Sequence, residues 1–259
     1  MNGLPGATRP LPFQRPHVRM TAPTALDSFI DKWRTRWPEW AVAEVFVQEG
    51  DRARALAWFA LLQEFDDILN VAGDPLPADA KLGWWATELC DWAGHRSRHP
   101  LGRLLEPVPA PWARLADSLP ALIAARTRPA DMPGAFAALA SYAAAVAEVE
   151  AAVLGASRPA AEVVAAQVLA TRLAEAGLEA VPQSRQPAAE GAAEREQAQR
   201  SWARDLLAAW PSRAAGSGPR RLWSSLARRR LEQVAAGRAA GAGGHPLRLL
   251  WRSWRAAHG

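Results

Sequence analysis

Four polar side chains recur at helical spacing between residues 63 and 70. Apolar periodicity predicts a helix from Asp51 to Ala72, with Asp51 as its N-cap, and Gln63, Asp66, Asp67 and Asn70 lie along one side of its C-terminal half. Carboxylate and amide groups placed in this way either line a polar cavity or face water as a solvated surface. The sequence leaves both interpretations open.

A second group of ionisable side chains follows about twenty residues later. Asp91, His95 and His99 stand at i, i+4 and i+8, with Cys90 beside them. On one straight helix they would form a row of zinc ligands. Gly94 and the proline after His99 argue against a straight helix, so we expect a polar helix end here. The motifs G-x-S-x-G, Walker A and H-E-x-x-H are absent from the sequence.

The elements that must position these groups are helices, because alternating β-branched and aromatic residues are scarce. We therefore predict an all-α fold. Proline and glycine separate the periodic segments, and the predicted helices are 25–37, 40–48, 51–72, 78–93, 110–125, 132–154, 160–176, 192–209, 220–235 and 246–256.

Composition bounds the class of protein. The chain has 259 residues, of which 49% are hydrophobic and 22% charged, enough for one substantial core. A single cysteine excludes an internal disulfide and suits a cytoplasmic location. Arginine or an acid interrupts the helical stretches, so we expect no membrane span. Residues 1–22 contain four prolines and three arginines and no apolar core of a signal peptide. We expect them to be disordered, followed by one domain over 23–259.

Charge is distributed unevenly along the chain. The net charge is +5, but residues 195–259 contain 13 arginines against three acids, a local +10, which leaves about −5 for residues 1–194. A basic C-terminal part on a mildly acidic body predicts one anionic surface or partner there. Because no nucleic-acid-binding module is recognisable, we expect no nucleic-acid partner.

The last predicted helix is amphipathic. An apolar stripe and a basic stripe run along it. Such a helix either rests on the inner face of an anionic membrane or packs against the protein's own core. The residues expected to contact a membrane are Leu247, Arg248, Leu250, Trp251, Arg252, Trp254 and Arg255.

Several landmarks occur in a fixed order along residues 61–155. The segment LLQEFDDILN at Leu61–Asn70 is followed by Asp74-Pro75, by KLGWW at Lys81–Trp85, by His99-Pro100 and by Tyr142 with a helix end at Gly155. This order resembles the squalene and phytoene synthase family, in which a DDxxD helix precedes an acid-Pro turn, an R/K-L-x-W-W helix and a His-Pro. The resemblance covers most of residues 24–259.

The resemblance implies an all-helical isoprenoid synthase fold. Family members join two prenyl diphosphates head to head, and Asp-rich motifs on opposite walls hold the Mg²⁺ ions that bind the diphosphates. It implies metal ligands at Asp66, Asp67 and Asn70 and no assigned catalytic residue. It implies that a substrate cavity is lined by Arg52, Gln63, Trp84, Trp85, Tyr142 and Arg172.

The chain departs from the family pattern at both walls. Asn70 replaces the last aspartate of the first motif and Gln63 replaces an arginine. The second motif is reduced to Arg172, Glu175 and Glu179, and we expect its helix to end near Gly177. We therefore expect a protein with weak or no transferase activity that binds a prenyl lipid or serves as a partner subunit. The alternatives are an active Mg²⁺-dependent prenyltransferase and a membrane-associated assembly factor.

Overall fold

The regular elements of the computed structural model are helices throughout the residues that it describes, which are 24–187, 191–211, 216–241, 243 and 245–258. This confirms the predicted all-α class. The predicted tail 1–22 lies outside the described residues. The α-helices are α1 (Ala25–Arg36), α2 (Trp40–Ala43), α3 (Glu49–Leu69), α4 (Leu76–Ala93), α5 (Gly102–Leu105), α6 (Trp112–Ser118), α7 (Pro120–Ala124), α8 (Met132–Val153), α9 (Ala161–Ala176), α10 (Ala192–Ala208), α11 (Gly218–Ala235) and α12 (Pro246–His258).

Helix α3 is surrounded by other helices and carries the Asp-rich segment. It contacts α1, α4, α5, α7, α8 and α9. Every side chain from Ala55 to Asp66 is buried, because a helix enclosed on all sides must be apolar nearly all round. The helix begins at Glu49, after Gln48 as its N-cap. Asp51 therefore lies in the first turn, and the prediction that it is the N-cap was wrong.

Two predicted helices are broken in the structure. The segment predicted at 40–48 forms α2 followed by a 3₁₀ turn at Glu44–Phe46, and the segment predicted at 110–125 forms α6 and α7. Pro120 occupies the first position of α7. Since proline has no N–H to continue the ladder of α6, a new helix starts there.

Helix α8 is a long apolar helix that Glu148 and Glu150 interrupt near its C-terminal end, as the sequence leads us to expect. Among the described residues it alone has the length and composition to cross a membrane. Half of its most apolar window is buried within the fold, and it packs against α6, α7 and α9. Tyr142, Val146 and Glu150 on it are buried, so here α8 serves as a core helix.

One buried ion pair links α8 to α11. Glu150 and Arg220 are both about 1% exposed, and the Arg220 Nε lies 2.8 Å from each carboxylate oxygen of Glu150. Trp58 Nε1 donates to Glu150 at 2.8 Å, and Arg220 Nη1 donates to Gln167 Oε1 at 3.0 Å. The guanidinium also lies 5.0 Å from the centre of the Trp223 ring. The two charges are therefore compensated by hydrogen bonds as well as by each other.

Most tryptophans are core residues, as the sequence predicts. Ten of the 13 are buried, and Trp33, Trp40 and Trp223 surround Phe59 of α3. The remaining three are exposed by 40% or more, and they are Trp84, Trp251 and Trp254.

Candidate functional site

Asp66 lies inside the bundle, within the Asp-rich segment Leu61–Asn70. It is 5% exposed and borders a cavity of about 10 Å³ together with Tyr142, Gln167 and Arg220. A cavity of this size has room for roughly one water molecule. Burial raises the pKa of Asp66 to about 8, with a further increase from the nearby negative charge of Asp67. The carboxyl group is therefore largely protonated at neutral pH.

Asp67 points toward α1 instead of the cavity. Its Oδ2 accepts a hydrogen bond from Lys32 Nζ at 2.6 Å, and its Oδ1 accepts one from Gln63 Nε2 at 2.8 Å. Arg36 Nη2 lies 3.6 Å from the same Oδ1 and 2.6 Å from Glu175 on α9. Both carboxylate oxygens of Asp67 are thus occupied by side chains of this chain.

Glu64 is a polar anchor that the sequence reasoning missed. Its side chain is 4% exposed, and it accepts from Lys32 Nζ at 2.8 Å and from Lys81 Nζ at 2.5 Å. Lys32, Glu64 and Lys81 therefore join α1, α3 and α4 in one ion cluster. One feature of the sequence could have pointed to this cluster: Lys32 and Lys81 are the only two lysines of the chain, and both bind Glu64.

Asn70 and Arg172 meet at the C-terminal end of α3. Asn70 is the C-cap residue, and its Nδ2 donates to the carbonyl of Asp66 at 2.9 Å. Arg172 Nη1 lies 3.2 Å from the Leu69 carbonyl and 3.4 Å from Asn70 Oδ1. Arg126 donates twice to the Ile68 carbonyl, at 2.9 and 3.1 Å. The last carbonyls of a helix have no N–H partner within that helix, and here two arginines donate to them.

The other residues expected to bind substrate are spread over the molecule. Arg52 donates to the Val47 carbonyl at 3.0 Å, at the N-terminal end of α3. Trp85 is buried against Phe65 and His99, with ring centroids 5.7 and 4.5 Å away, and neither Trp84 nor Trp85 borders the Asp66 cavity. Only Asp66 and Tyr142 of the predicted site residues share that cavity.

The fit of a Mg²⁺ ion can be tested on Asp66, Asp67 and Asn70. Mg²⁺ requires several hard oxygen ligands in octahedral geometry and keeps waters or phosphate oxygens as the remainder. Asp66 is buried, Asp67 is paired with Lys32 and Arg36, and the Asn70 oxygen faces Arg172. These donors do not fit a diphosphate-bound Mg²⁺ ion without breaking their present contacts.

The reduced second motif does not form a carboxylate pair. Helix α9 ends at Ala176, and its C-cap Gly177 has a φ of +54°, as expected for a helix that stops at glycine. Glu175 pairs with Arg36, whereas Glu179 pairs with Arg128 at 2.8 Å. The two carboxylates therefore serve different ion pairs.

The residues weighed as zinc ligands are separated by the end of α4. That helix ends at Ala93, and His95 has a positive φ of 56° and hydrogen-bonds Glu106 at 2.8 Å. Asp91 pairs with Arg96 and Arg98. The straight helix needed for a row of ligands is not formed, and a polar helix end is observed as expected.

Helix α12 presents the predicted stripe outward. Leu247, Leu250, Trp251 and Trp254 are exposed by 66%, 39%, 55% and 50%, while Leu249 and Ser253 face α11 and α2. Arg248, Arg252 and Arg255 are also exposed.

Comparison with known proteins adds no family assignment. No family model matches the chain, and no curated protein is significantly similar to it. The resemblance to squalene and phytoene synthases is carried by the ordered landmarks of the sequence alone.

Proposed function

We propose that this protein is a non-catalytic relative of squalene and phytoene synthases that acts as a lipid-binding or partner protein. One observation carries the proposal: the polar groups of the Asp-rich helix are bound by side chains of the same chain. Lys32 and Arg36 engage Asp67, Lys81 and Lys32 engage Glu64, and Arg172 faces Asn70.

Electrostatics favours this proposal. A diphosphate site must stabilise the charge that develops on the leaving group, using metal ions held by free carboxylates. On α3 the carboxylates instead compensate three cations within the fold. A bound metal ion would have to displace Lys32 and Arg36 from Asp67 and to deprotonate Asp66 in a buried setting.

Volume also favours it. Ligand pockets commonly measure about 300–1,000 Å³, whereas the cavity beside Asp66 has about 10 Å³. Two recesses of about 530 and 580 Å³ exist, but α3 contributes only the side chain of Asp51, near its N-terminal end, to the first and none to the second. The cavity beside Asp66 is therefore too small to hold a prenyl chain.

The direct test is incubation with farnesyl and geranylgeranyl diphosphates plus Mg²⁺, followed by analysis of lipid products. We expect no product. Calorimetry with inorganic diphosphate and Mg²⁺ should give weak or no binding to the wild type and stronger binding to Asn70→Asp. Robust product formation that Asp66→Ala abolishes would overturn the proposal in favour of an active prenyltransferase.

A double substitution makes the test sharper. Lys32→Ala/Arg36→Ala removes both cations from the Asp67 carboxylate and leaves the hydrogen bond from Gln63 in place. We expect it to increase Mg²⁺-dependent diphosphate binding further when combined with Asn70→Asp. Arg54→Ala, an exposed arginine on the same helix, is the matched control for loss of a positive charge. If the control raises binding equally, the ion pairs do not block the site.

A membrane-associated assembly factor is the second candidate. The exposed apolar face of α12 favours it, because such a face needs a covering surface. In that function the Asp-rich helix serves only as packing. Membrane binding without any binding of a prenyl lipid would distinguish this candidate from a lipid-binding protein.

A further inference from the structure

Helix α12 has a firmly attached inner face. Leu249 and Ser253 are 9% and 2% exposed, and α12 packs on α11 and α2. Arg221 of α11 donates to the carbonyls of Ala256 and Ala257 at 2.9 and 2.7 Å, which satisfies the C-terminal end of α12. The helix is therefore held in one orientation.

The outer face of α12 carries four of the eight large apolar side chains that are exposed among the described residues. Leu247, Leu250, Trp251 and Trp254 are exposed together at i, i+3, i+4 and i+7, which defines the α12 stripe. The sequence buries ten of its 13 tryptophans, yet two of the three exposed ones lie on this stripe. Scattered exposed apolar residues are ordinary, whereas a contiguous stripe marks a contact surface.

Basic residues flank the α12 stripe. Arg252 Nη1 pairs with Glu232 at 2.7 Å, and Arg255 lies 4.9 Å from the centre of the Trp251 ring. Among the described residues no acidic side chain forms an ion pair with Arg248 or Arg255. The described part of α12 itself contains three arginines and no acid. A surface that covers the stripe must therefore tolerate or attract positive charge.

We propose that α12 lies flat on an anionic lipid surface, with the α12 stripe buried among the acyl chains and Arg248 and Arg255 at the phosphate groups. The tryptophan rings and long arginines suit the interface, where an apolar body and a polar tip are both satisfied. An anionic leaflet attracts arginines near its surface, and salt screens that attraction. The inference does not depend on the leading proposal of a non-catalytic synthase relative, because it uses no residue of the Asp-rich helix, and it shares the α12 face with the second candidate function.

Co-sedimentation with vesicles tests this placement. The full chain is mixed with vesicles of phosphatidylcholine alone or with added phosphatidylglycerol, in the absence of prenyl diphosphates. We expect the protein to pellet with the anionic vesicles, on the order of tenfold more than with neutral ones, and to dissociate as salt is raised. No pelleting with anionic vesicles at low salt would overturn the proposal.

Matched triple variants identify the surface. Leu250→Ser/Trp251→Ser/Trp254→Ser removes three residues of the stripe, and Leu76→Ser/Trp84→Ser/Ile123→Ser removes three exposed apolar residues elsewhere. Circular dichroism checks that both remain helical. We expect only the first to lose membrane binding. Equal binding of the two variants would overturn the proposal.

A charge variant and an assembly measurement complete the test. Arg248→Gln/Arg255→Gln should bind neutral and anionic vesicles to nearly the same weak extent. Light scattering should give the same mass for the wild type and for the stripe variant Leu250→Ser/Trp251→Ser/Trp254→Ser. A dimer that the stripe variant converts to monomer would show that a second copy covers α12, and would replace the lipid assignment.

Discussion

Asp66 combines an ionisable group with a nearly closed environment. Burial raises its pKa from an ordinary value near 3.8 to about 8, so the folded state binds a proton between these values that the unfolded chain releases. The pKa of Asp66 is higher in the folded state than in the unfolded state, so this group favours folding most at low pH. Its contribution makes the free energy of unfolding fall as pH rises from about 4 to about 8.

Asp66→Asn should remove this dependence. We expect the variant to be more stable than the wild type at pH 8 and to have a flatter stability profile between pH 5 and 8. The wild-type slope from this group approaches about 1.4 kcal/mol per pH unit. Urea unfolding at several pH values measures it. Identical slopes for wild type and variant would show that Asp66 is solvated in the folded state.

Replacing only one member of the Glu150–Arg220 ion pair should lower the free energy of unfolding. Arg220→Met leaves the Glu150 carboxylate buried with Trp58 as its one remaining hydrogen-bond partner in the described part of the chain. We expect a loss of about 3–5 kcal/mol in the free energy of unfolding. Glu150→Leu/Arg220→Met removes both charges and should recover most of the loss. Chemical denaturation followed by circular dichroism gives both values. A single variant that loses less than about 1 kcal/mol would contradict the pairing.

At the scale of elements, α3 depends on arginines from two other segments. Arg126 and Arg172 bind the carbonyls of Ile68 and Leu69, and Arg172 also donates to the Arg126 carbonyl at 2.8 Å. Burial lowers the pKa of Arg172, but hydrogen bonds to three acceptors hold the group in place. Long-range contacts of this kind replace a glycine C-cap at the end of the helix.

Arg172→Met should loosen that end. We expect a loss of about 1–3 kcal/mol, because buried carbonyls lose a charged donor. Amide hydrogen exchange should increase at the C-terminal turn of α3 more than at its centre. Arg128→Met, which removes the exposed pair with Glu179, is the control and should change exchange in α3 little. Uniform exchange along α3 in the Arg172 variant would contradict a capping role.

The helices were largely predictable from local pattern. Periodicity and the positions of Pro and Gly placed α1, α8, α9 and α10 within one or two residues of their observed bounds. They missed α5 and the break at Pro120, because a four-residue helix has no period to detect and proline is tolerated at the start of a new helix. Local pattern also could not say which face of α12 is buried.

For the whole molecule, the distribution of tryptophan gives a direct test of the fold. With ten of 13 rings buried, iodide or acrylamide should quench only a minor fraction of the native fluorescence. Trp84→Phe/Trp251→Phe/Trp254→Phe should remove most of that accessible fraction. A quenched fraction that is unchanged by the triple substitution would mean that other tryptophans are open to solvent.

The candidate site was less predictable than the helices. The sequence correctly grouped Gln63, Asp66 and Asp67 on one helix, and helical spacing is sufficient for that. It could not show that Lys32 reaches Glu64 and Asp67, which lie 32 and 35 residues away. Whether a carboxylate is free or paired depends on such distant partners, so the state of the Asp-rich helix emerges only from the tertiary structure.

The lysine cluster allows the junction of α1, α3 and α4 to be observed by NMR through labelled lysine amines. Lys32 and Lys81 are the only lysines, and both amines contact Glu64 where α1, α3 and α4 meet. Burial lowers the pKa of Lys32, but its hydrogen bonds to Asp67 and Glu64 outweigh that effect and raise it. Isotope-labelled methyl groups attached to side-chain amines would therefore give two NMR signals from this junction, distinct from that of the chain's α-amine. Any event that separates α1 from the Asp-rich helix would be read from those two signals, without a mutation.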